Sequence, residues 1–380
     1  MARSTEMRRR EIRAALDREG IVEISELVHR YGISAVTARR DAEALSRAGF
    51  ARREYGRLLA VSNPTVSRSD ATIGVMVPFS NYYFNPVLAG AHDAAVEMGI
   101  RLILRVSQHA VAEEKRIIER LVSSGVDGLI VAPTPGDDGM LSQEQEEWLL
   151  AAGVPVVLLE RTFSATGAAA RLDAVYSLHN VGIDLAVEHL MEHGHRDLAM
   201  VTVMNFETAR MAAAFHAAVA RLGLPAAPVV SFSSNTDPRV RQEVLVAVRR
   251  GATGFVVYDD LAAMDVLIWL QDAGMRVPED VSVVSYNDVV AALCDPPLTA
   301  VSPRKHPLGH RAVTLLAEAI RGRGDSRWVG LPRRDSTDRI KEHIGIVPAL
   351  ARRASVSRID RIDRSANEVN GSLASSDLVS

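Results

Sequence analysis

The chain has 380 residues, 44 Lys+Arg against 47 Asp+Glu for a formal net charge of -3, and 47% hydrophobic residues. That length supplies two or three domains with sizeable cores, and the composition excludes a fibrous or wholly disordered chain and, averaged over the whole, a strongly basic nucleic-acid coat. A single cysteine, Cys294, excludes an internal disulfide or a cysteine-based zinc site and fits a reducing compartment. With no apolar run near the ~18 residues of a membrane span and no apolar core at the N-terminus, a cytoplasmic location is expected.

Charge is unevenly distributed. Residues 1–60 hold 13 arginines, no lysine and nine acids, a net of +4, so the remaining 320 residues carry -7. Within this basic segment, Arg9 to Glu19 has helical spacing at Ile12, Ala15 and Leu16, with Gly20 as its stop. Ser25 is placed to cap a short helix through Leu27 and Val28 that breaks at Tyr31-Gly32. Ser34 can cap a third helix, its inward stripe expected at Val36, Ala38 or the Arg40 stem, Ala44 and Leu45, that ends at Gly49. Two short runs, Phe50 to Arg53 and Leu58 to Val61, flank a turn at Tyr55-Gly56. Three helices and a hairpin make a winged helix-turn-helix domain over residues 1–60.

The polar stretch VSNPTVSRSD has no periodicity, and residues 61–71 are expected to be a linker. Beyond it, continuous apolar runs at Ile73 to Val77, Leu102 to Val106, Gly128 to Val131, Val156 to Leu159, Leu198 to Val203, Phe255 to Tyr258 and Val281 to Tyr286 alternate with helices that close on glycines such as Gly99, Gly125 and Gly153. Strands buried on both faces point to parallel sheets, hence an α/β doubly wound architecture over 72–350. Its length suits two similar subdomains. Residues 351–380, rich in Ser, Arg, Asp and Asn, are expected to be a disordered tail.

In a helix-turn-helix, the second helix lies in the major groove with its first turn toward base edges. Ser34, Ala35 and Thr37 occupy that turn, Arg39 and Arg40 follow, and Arg47, Arg52, Arg53 and Arg57 extend the cationic surface into the wing. Guanidinium groups at these positions can be bidentate to guanine or clamp phosphate. The stretch from Arg9 to Leu59, centred on REGIVEISELVHRYGISAVTARRDAEALSRAGFARREYGR, resembles the N-terminal domain of DeoR-type bacterial regulators. The family's Ser-x-x-Thr-x-Arg-Arg-Asp recognition helix stands here as Ser34, Thr37, Arg39, Arg40 and Asp41, whereas Gly56-Arg57 replaces the usual double-glycine turn of the wing.

Ligands of doubly wound sheets sit beyond the C-terminal ends of the strands. There the sequence places Tyr82, Phe84 and Asn85, then Glu160 and Arg161, then Asn205, Thr208 and Arg210, then Asp259 and Asp260, and finally Asn287 and Asp288. Aromatic faces with carboxylate, amide and guanidinium partners suit a polyol. Residues 72 to about 335 look like the effector domain of LacI-type repressors, through IGVMVPFSNYYFNPVLAGAHDAA, VDGLIVAP, VPVVLLER, AVEHLMEHGHRDLAMV, RVPEDVSVVSYND and PPLTAV. The resemblance implies subdomains of about 72–176 with 300–330 and 180–295, crossed near Tyr176 to Asn180, Ala291 to Thr299 and Arg321 to Leu331. It further implies a small molecule in the cleft, held by Tyr82, Phe84, Asn85, Arg161, Arg210, Asp259 and Asn287. Glu160, His179, Asp259 and Asn287 depart from the family's usual residues, which leaves a nucleobase or sugar phosphate open beside a sugar. The linker lacks the amphipathic pattern of a groove-wedging helix, so docking by the winged helix alone is expected.

An enzyme finds little support: there is no phosphate loop, dinucleotide fingerprint or nucleophile elbow, and only Lys115, Lys305 and Lys341 could form a Schiff base. His189, His193 and His195 lack a convincing acidic partner, so neither metal nor cofactor is expected. A sugar-binding receptor would share the fold but not the fused winged helix. The reading is a sequence-specific repressor of double-stranded DNA operators, homodimeric or tetrameric, controlled by a sugar-like effector.

Overall fold

The structure, a computed structural model, describes residues 8–9, 11–12, 15–16, 21–47, 51–54, 56–60, 71–80, 82–161, 163–164, 166–233, 238–322 and 340–359. The chain divides into two compact units at Asp70 and Ala71. The expected linker at 61–70, the stops at Gly20 and Gly49 and the tail beyond residue 359 lie outside the described residues.

In the N-terminal unit, a first helix (α1, helical at 8–9, 11–12 and 15–16) precedes β1 (Ile21–Glu23), α2 (Ile24–Tyr31), α3 (Ala35–Arg47), β2 (Ala51–Glu54) and β3 (Arg57–Ala60). The expected hairpin is present, but β3 also pairs antiparallel with β1, a strand too short to register in the sequence, in a β1-β3-β2 sheet. Gly32 ends α2 at φ 61, a left-handed conformation that glycine adopts without a Cβ penalty. Ser25 does not cap α2; Glu23 holds the N-cap position and the Ser25 hydroxyl donates to its carboxylate at 3.2 Å. Ser34 does cap α3, accepting from Thr37 N at 3.2 Å.

The inward stripe of α3 holds at Ala38 and Leu45 as expected but departs at Val36, with Ala42 buried instead. Ala38, Ala42 and Leu45 are buried against Ile12, Leu16, Leu27 and Leu58, whereas Val36 is 61% exposed. The helix is turned by Asp41, which is buried and accepts from Arg8 Nε at 2.7 Å and Arg9 Nε at 2.8 Å, pinning α3 to α1. A carboxylate at this site must face the two guanidinium groups, and Ala38 and Ala42 turn inward with it.

The second unit holds two six-stranded sheets. One, in the order β14-β8-β7-β6-β4-β5, contains β4 (Ala71–Val77), β5 (Ile100–Val106), β6 (Gly128–Val131), β7 (Val156–Leu159), β8 (Asp173–Ser177) and β14 (His343–Ile346), all parallel. The other, β10-β9-β11-β12-β13-β15, contains β9 (Leu198–Val203), β10 (Val229–Phe232), β11 (Gly254–Tyr258), β12 (Ser282–Tyr286), β13 (Thr299–Ser302) and the antiparallel β15 (Ala349–Ala351). The central strands β4, β6, β7 and β12 are buried along their whole length, as their unbroken apolar runs require. Helices α4 (Phe84–Glu97), α5 (Val111–Ser123), α6 (Gln143–Leu150) and α11 (Lys305–Gly322) serve the first subdomain; α7 (His179–Glu192), α8 (Thr208–Arg221), α9 (Pro238–Arg249) and α10 (Asp260–Asp272) serve the second.

The first crossing between subdomains falls between β8 and α7, as expected. The second falls later, because β13 pairs with β12 in the second sheet and the chain returns only at α11. The third falls between β14 and β15, not at Arg321 to Leu331. Residues 351–359 are likewise built into the second subdomain rather than disordered. Ser355 is fully buried, accepts from Thr299 N at 2.8 Å and donates to Val283 O at 2.5 Å, and Ile359 N donates to His193 O at 3.0 Å. One serine that satisfies two backbone groups outweighs the polar composition around it.

Helices α4 and α11 cross backbone to backbone. A Cβ on Gly90 would sit 1.9 Å from His306 O, and one on Gly309 would sit 1.8 Å from Val87 O. Only glycine at both positions permits this approach.

Candidate functional site

In the N-terminal unit, Ser34, Ala35, Arg39 and Arg40 are exposed on α3 and Thr37 is half-buried, its hydroxyl 2.9 Å from that of Ser34. Arg57, on the wing, is exposed and pairs with Glu23 at 3.3 Å. Arg52 lies on β2, with its side chain outside the described ones. The exposed face of α3 thus offers the guanidinium groups of Arg39 and Arg40, a hydroxyl pair and an apolar side chain, Val36, that sequence reasoning had turned inward.

In the second unit, a cavity of about 350 Å³ lies beyond the C-terminal ends of the strands, between the subdomains. Of the residues expected around it, Tyr82, Phe84, Arg161, Asp259 and Asn287 line it. Asn85 and Arg210 do not. Phe84 opens α4 facing inward, so Asn85, one residue on, is turned about 100° away and is exposed. Arg210 on α8 pairs with Glu207 one turn earlier, and it is Glu207 that lines the cavity. A surface groove of about 530 Å³ beside Lys115, Glu119 and Trp148 is open and remote from the strand ends.

Glu160 organises the first-subdomain wall. It is buried at φ 52 and accepts from Tyr83 Oη, from Ser177 N at 2.9 Å and from Ser177 Oγ at 2.7 Å. Left-handed backbone at Tyr82 (φ 42), Glu160 and Asn287 (φ 93) costs about 1–3 kcal/mol per residue, strain held by the surrounding fold at the cavity mouth. Arg161 is buried and spends three N–H groups on main-chain carbonyls: Nε on Pro133, Nη1 on Glu160 at 2.7 Å and Nη2 on Ala132 at 3.1 Å. Its burial lowers the guanidinium's pKa, opposed by Glu207 and Glu160. From the second subdomain, the Phe206 ring comes within 5.4 Å of the Arg161 guanidinium and 6.0 Å of the His109 ring, a cation–π and edge contact across the cleft.

Asp259 closes the far side. Its Oδ1 caps α10, accepting from Leu261 N at 3.1 Å and Ala262 N at 3.3 Å, and burial raises its pKa. The neighbouring Asp260 is fully buried and binds Ser285 Oγ with the backbone N–H groups of Asp288, Val289 and Val290, which fixes the loop that presents Asn287. Lys305 Nζ donates to Asn287 O from the second crossing. His179 packs at 3.0 Å on Tyr286 Oη, and burial lowers it to about 4, so it is neutral at pH 7. Phe79, just past the end of β4, also lines the cavity, as its place after the first strand suggests, whereas His109, Phe206 and Glu207 escaped the sequence reading: each follows its strand by several residues in a loop whose path no periodicity encodes.

His195 hydrogen-bonds Thr253 Oγ1 at 3.0 Å and Ser357 O at 3.2 Å, and among the described residues no group of three or more His, Cys, Asp and Glu side chains is arranged to hold a metal. No helix among the described residues is long and apolar enough to cross a membrane.

Comparison with known proteins assigns both units. Residues 8–64 match the family of DeoR-like helix-turn-helix domains, and residues 187–356 match the periplasmic binding protein-like domain. The chain is 25% identical over 313 residues to the HTH-type transcriptional repressor PurR of Aliivibrio fischeri, covering 78% of this chain and 87% of that protein. It is 26% identical over 313 residues to catabolite control protein A of Priestia megaterium, covering 78% and 88%. Among solved structures, the dimeric Lac repressor superposes with a TM-score of 0.61 at 21% identity, over 76% of this chain and 100% of that one. A LacI family regulator of Enterococcus faecium with bound ribose gives 0.58 at 23% identity, over 76% and 100%. The chain joins a DeoR-like helix-turn-helix domain to a periplasmic binding protein-like domain.

Proposed function

We propose that the chain is a repressor that binds operator DNA through α3 and changes its hold on DNA when a sugar-like ligand fills the cavity between the subdomains. The observation that carries this reading is the pairing, in one chain, of an outward α3 face with a cavity walled by residues from both subdomains. On DNA, Ser34, Ala35, Thr37, Arg39 and Arg40 meet the major groove, Val36 offers an apolar contact for a thymine methyl, and Arg52 and Arg57 reach the flanking phosphates. Two copies related by a twofold axis would address two half-sites, and the regulator works where the chromosome is, in the cytoplasm. Tyr82, Phe84, Arg161, Asp259 and Asn287, with Glu207 and His109, contact the ligand. Relatives are transcriptional repressors, and one structural neighbour holds ribose, which supports a sugar-like effector here.

The test is selection of bound fragments from a random duplex library by the full chain, followed by salt titration of the selected site with and without candidate sugars. Arg39→Ala and Arg40→Ala should each weaken binding and reduce the log-log salt slope by about one, while ligand-induced thermal stabilisation persists. Failure to select any sequence, or loss of ligand response in these variants, would sink the reading.

A further inference from the structure

The cavity wall is arranged to accept protons rather than to supply them. His109 is held by a chain of three groups. Buried Glu114 accepts from Ser107 Oγ at 3.1 Å, from Thr134 N at 2.9 Å and from Thr134 Oγ1 at 2.7 Å. A hydroxyl has one proton, and that of Thr134 is committed to the carboxylate. The 3.0 Å contact between Thr134 Oγ1 and His109 Nδ1 must therefore run the other way, with Nδ1–H donating. The tautomer follows: Nε2 of the neutral ring carries a lone pair and is an acceptor on the cavity wall. Burial, reinforced by Arg161, lowers the His109 pKa and keeps the ring neutral.

Other groups on the wall also accept, while the buried Tyr82 hydroxyl, without a partner among the described residues, can act in either sense. Asn287 is 4% exposed, and its Oδ1 is buried with no partner among the described residues. Leaving a buried carbonyl unpaired carries a desolvation cost that a ligand donor would recover. Asp259 uses only Oδ1 in capping α10. Glu160 and Glu207 add negative charge to the wall, although Glu160 already accepts from Tyr83 and Ser177 and Glu207 is paired with Arg210. Among the described lining residues Arg161 is the one fixed cation, and three of its five N–H groups are already given to carbonyls, while Arg210 is engaged by Glu207.

We propose that the cavity selects its effector as a hydrogen-bond donor: His109 Nε2, Asn287 Oδ1 and the Asp259 carboxylate take hydroxyl or amine protons of an unphosphorylated polyol, and the site rejects the corresponding phosphate esters. This rests on the cavity being the effector site. A phosphate would bring acceptor oxygens and negative charge to a wall already rich in both. Thr134 is a positioning residue that acts through His109.

The experiment is isothermal titration of the full chain with pentoses, hexoses, polyols and nucleosides, each paired with its phosphate ester, and repetition of any binding pair on variants. The expected result is an unphosphorylated ligand that binds at least 10-fold tighter than its ester. His109→Phe, which keeps a ring between Phe79 and Phe206, should lower affinity about 10-fold. Thr134→Val should lower affinity severalfold by freeing the imidazole to flip, and Thr134→Ser should restore it. An ester that binds as well as its parent, or affinity unchanged in both His109→Phe and Thr134→Val, overturns the proposal while leaving the effector site in place. No binding by any member of any pair, with DNA binding retained, overturns the effector site and the proposal with it.

Discussion

Gly309→Ala tests whether the seam between α4 and α11 is as close as the structure has it. The new Cβ would lie 1.8 Å from Val87 O, 2.8 Å from Val87 C and 2.9 Å from Ala91 N, all main-chain atoms that cannot swing aside. Restoring an ordinary contact near 3.4 Å requires the helices to part by roughly 1.6 Å, and a gap of even 0.5–1 Å forfeits a quarter to a half of each dispersion contact along the seam. Val87, Ala91, Leu308, Ala312 and Val313 are all buried there. Overpacking alone costs about 1–3 kcal/mol, and the lost contacts bring the expected destabilisation to about 3–5 kcal/mol, or on the order of 10 °C in Tm for a unit of this size. Differential scanning calorimetry of the full chain should show the effector unit's transition shifted. Gly90→Ala should cost a similar amount, since its Cβ meets His306 O at 1.9 Å. The double variant should cost far less than the sum, because helices parted by one alanine already accommodate the other. A Gly309→Ala protein within about 1 kcal/mol of wild type, or additive effects in the double variant, would refute the close crossing.

Further outcomes follow from individual contacts. Asp41→Ala should destabilise the N-terminal unit by about 3 kcal/mol, read by chemical denaturation, because it strands Arg8 beside α3; unchanged stability would remove Asp41 from its pinning role. Glu160→Gln should weaken ligand binding and lower Tm, because an amide cannot accept from Tyr83, Ser177 N and Ser177 Oγ together, whereas intact affinity would show that the wall is not organised by Glu160. Burial lowers His179, His189 and His195 each to about 4, so below the unfolded value near 6.5 the unfolded chain binds protons first. Stability should be full above about pH 6.5 and decline toward pH 4, each histidine adding up to about 1.4 kcal/mol per pH unit; His195→Asn should show a shallower decline, and equal slopes would contradict its burial as a neutral ring.

Much of this architecture was legible because it depends on local pattern. Unbroken apolar runs such as Gly128 to Val131 became buried parallel strands, and Gly32, Gly99, Gly125 and Gly153 took the left-handed conformations of helix ends. What escaped depends on distant partners. β1 has three residues and exists because β3 offers it a ladder. Residues 351–359 look like a tail until Ser355 meets Thr299 and Val283, more than 50 positions earlier. Val36 was placed inward by helical spacing alone, whereas the ion pairs of Asp41 with Arg8 and Arg9 fix the rotation of α3. In the cavity, strand ends located Tyr82, Arg161, Asp259 and Asn287, but the choice between Glu207 and Arg210, or between Phe84 and Asn85, is made by helix phase.

The cavity and the crossings are not independent features, and their connection bears on how a ligand could alter the relation of the two subdomains. At the first crossing, Ser177 holds Glu160 of the cavity wall, and two residues on His179 is tied to Tyr286, the last residue of β12 before Asn287. At the second, Lys305 opens α11 and donates to the Asn287 carbonyl. Gly182, one turn into α7, would place a Cβ 2.3 Å from Tyr286 Oη, so the first crossing helix lies hard against the strand that presents Asn287. A ligand that pulls on Glu160 or Asn287 therefore acts on the segments about which the subdomains would turn. The shift it can produce is bounded by its difference in affinity for the two arrangements, whatever its total affinity. Contacts at Glu160 and Asn287 are those best placed to differ between open and closed forms, whereas stacking on Phe79 or Phe84 within one subdomain would add affinity to both forms alike.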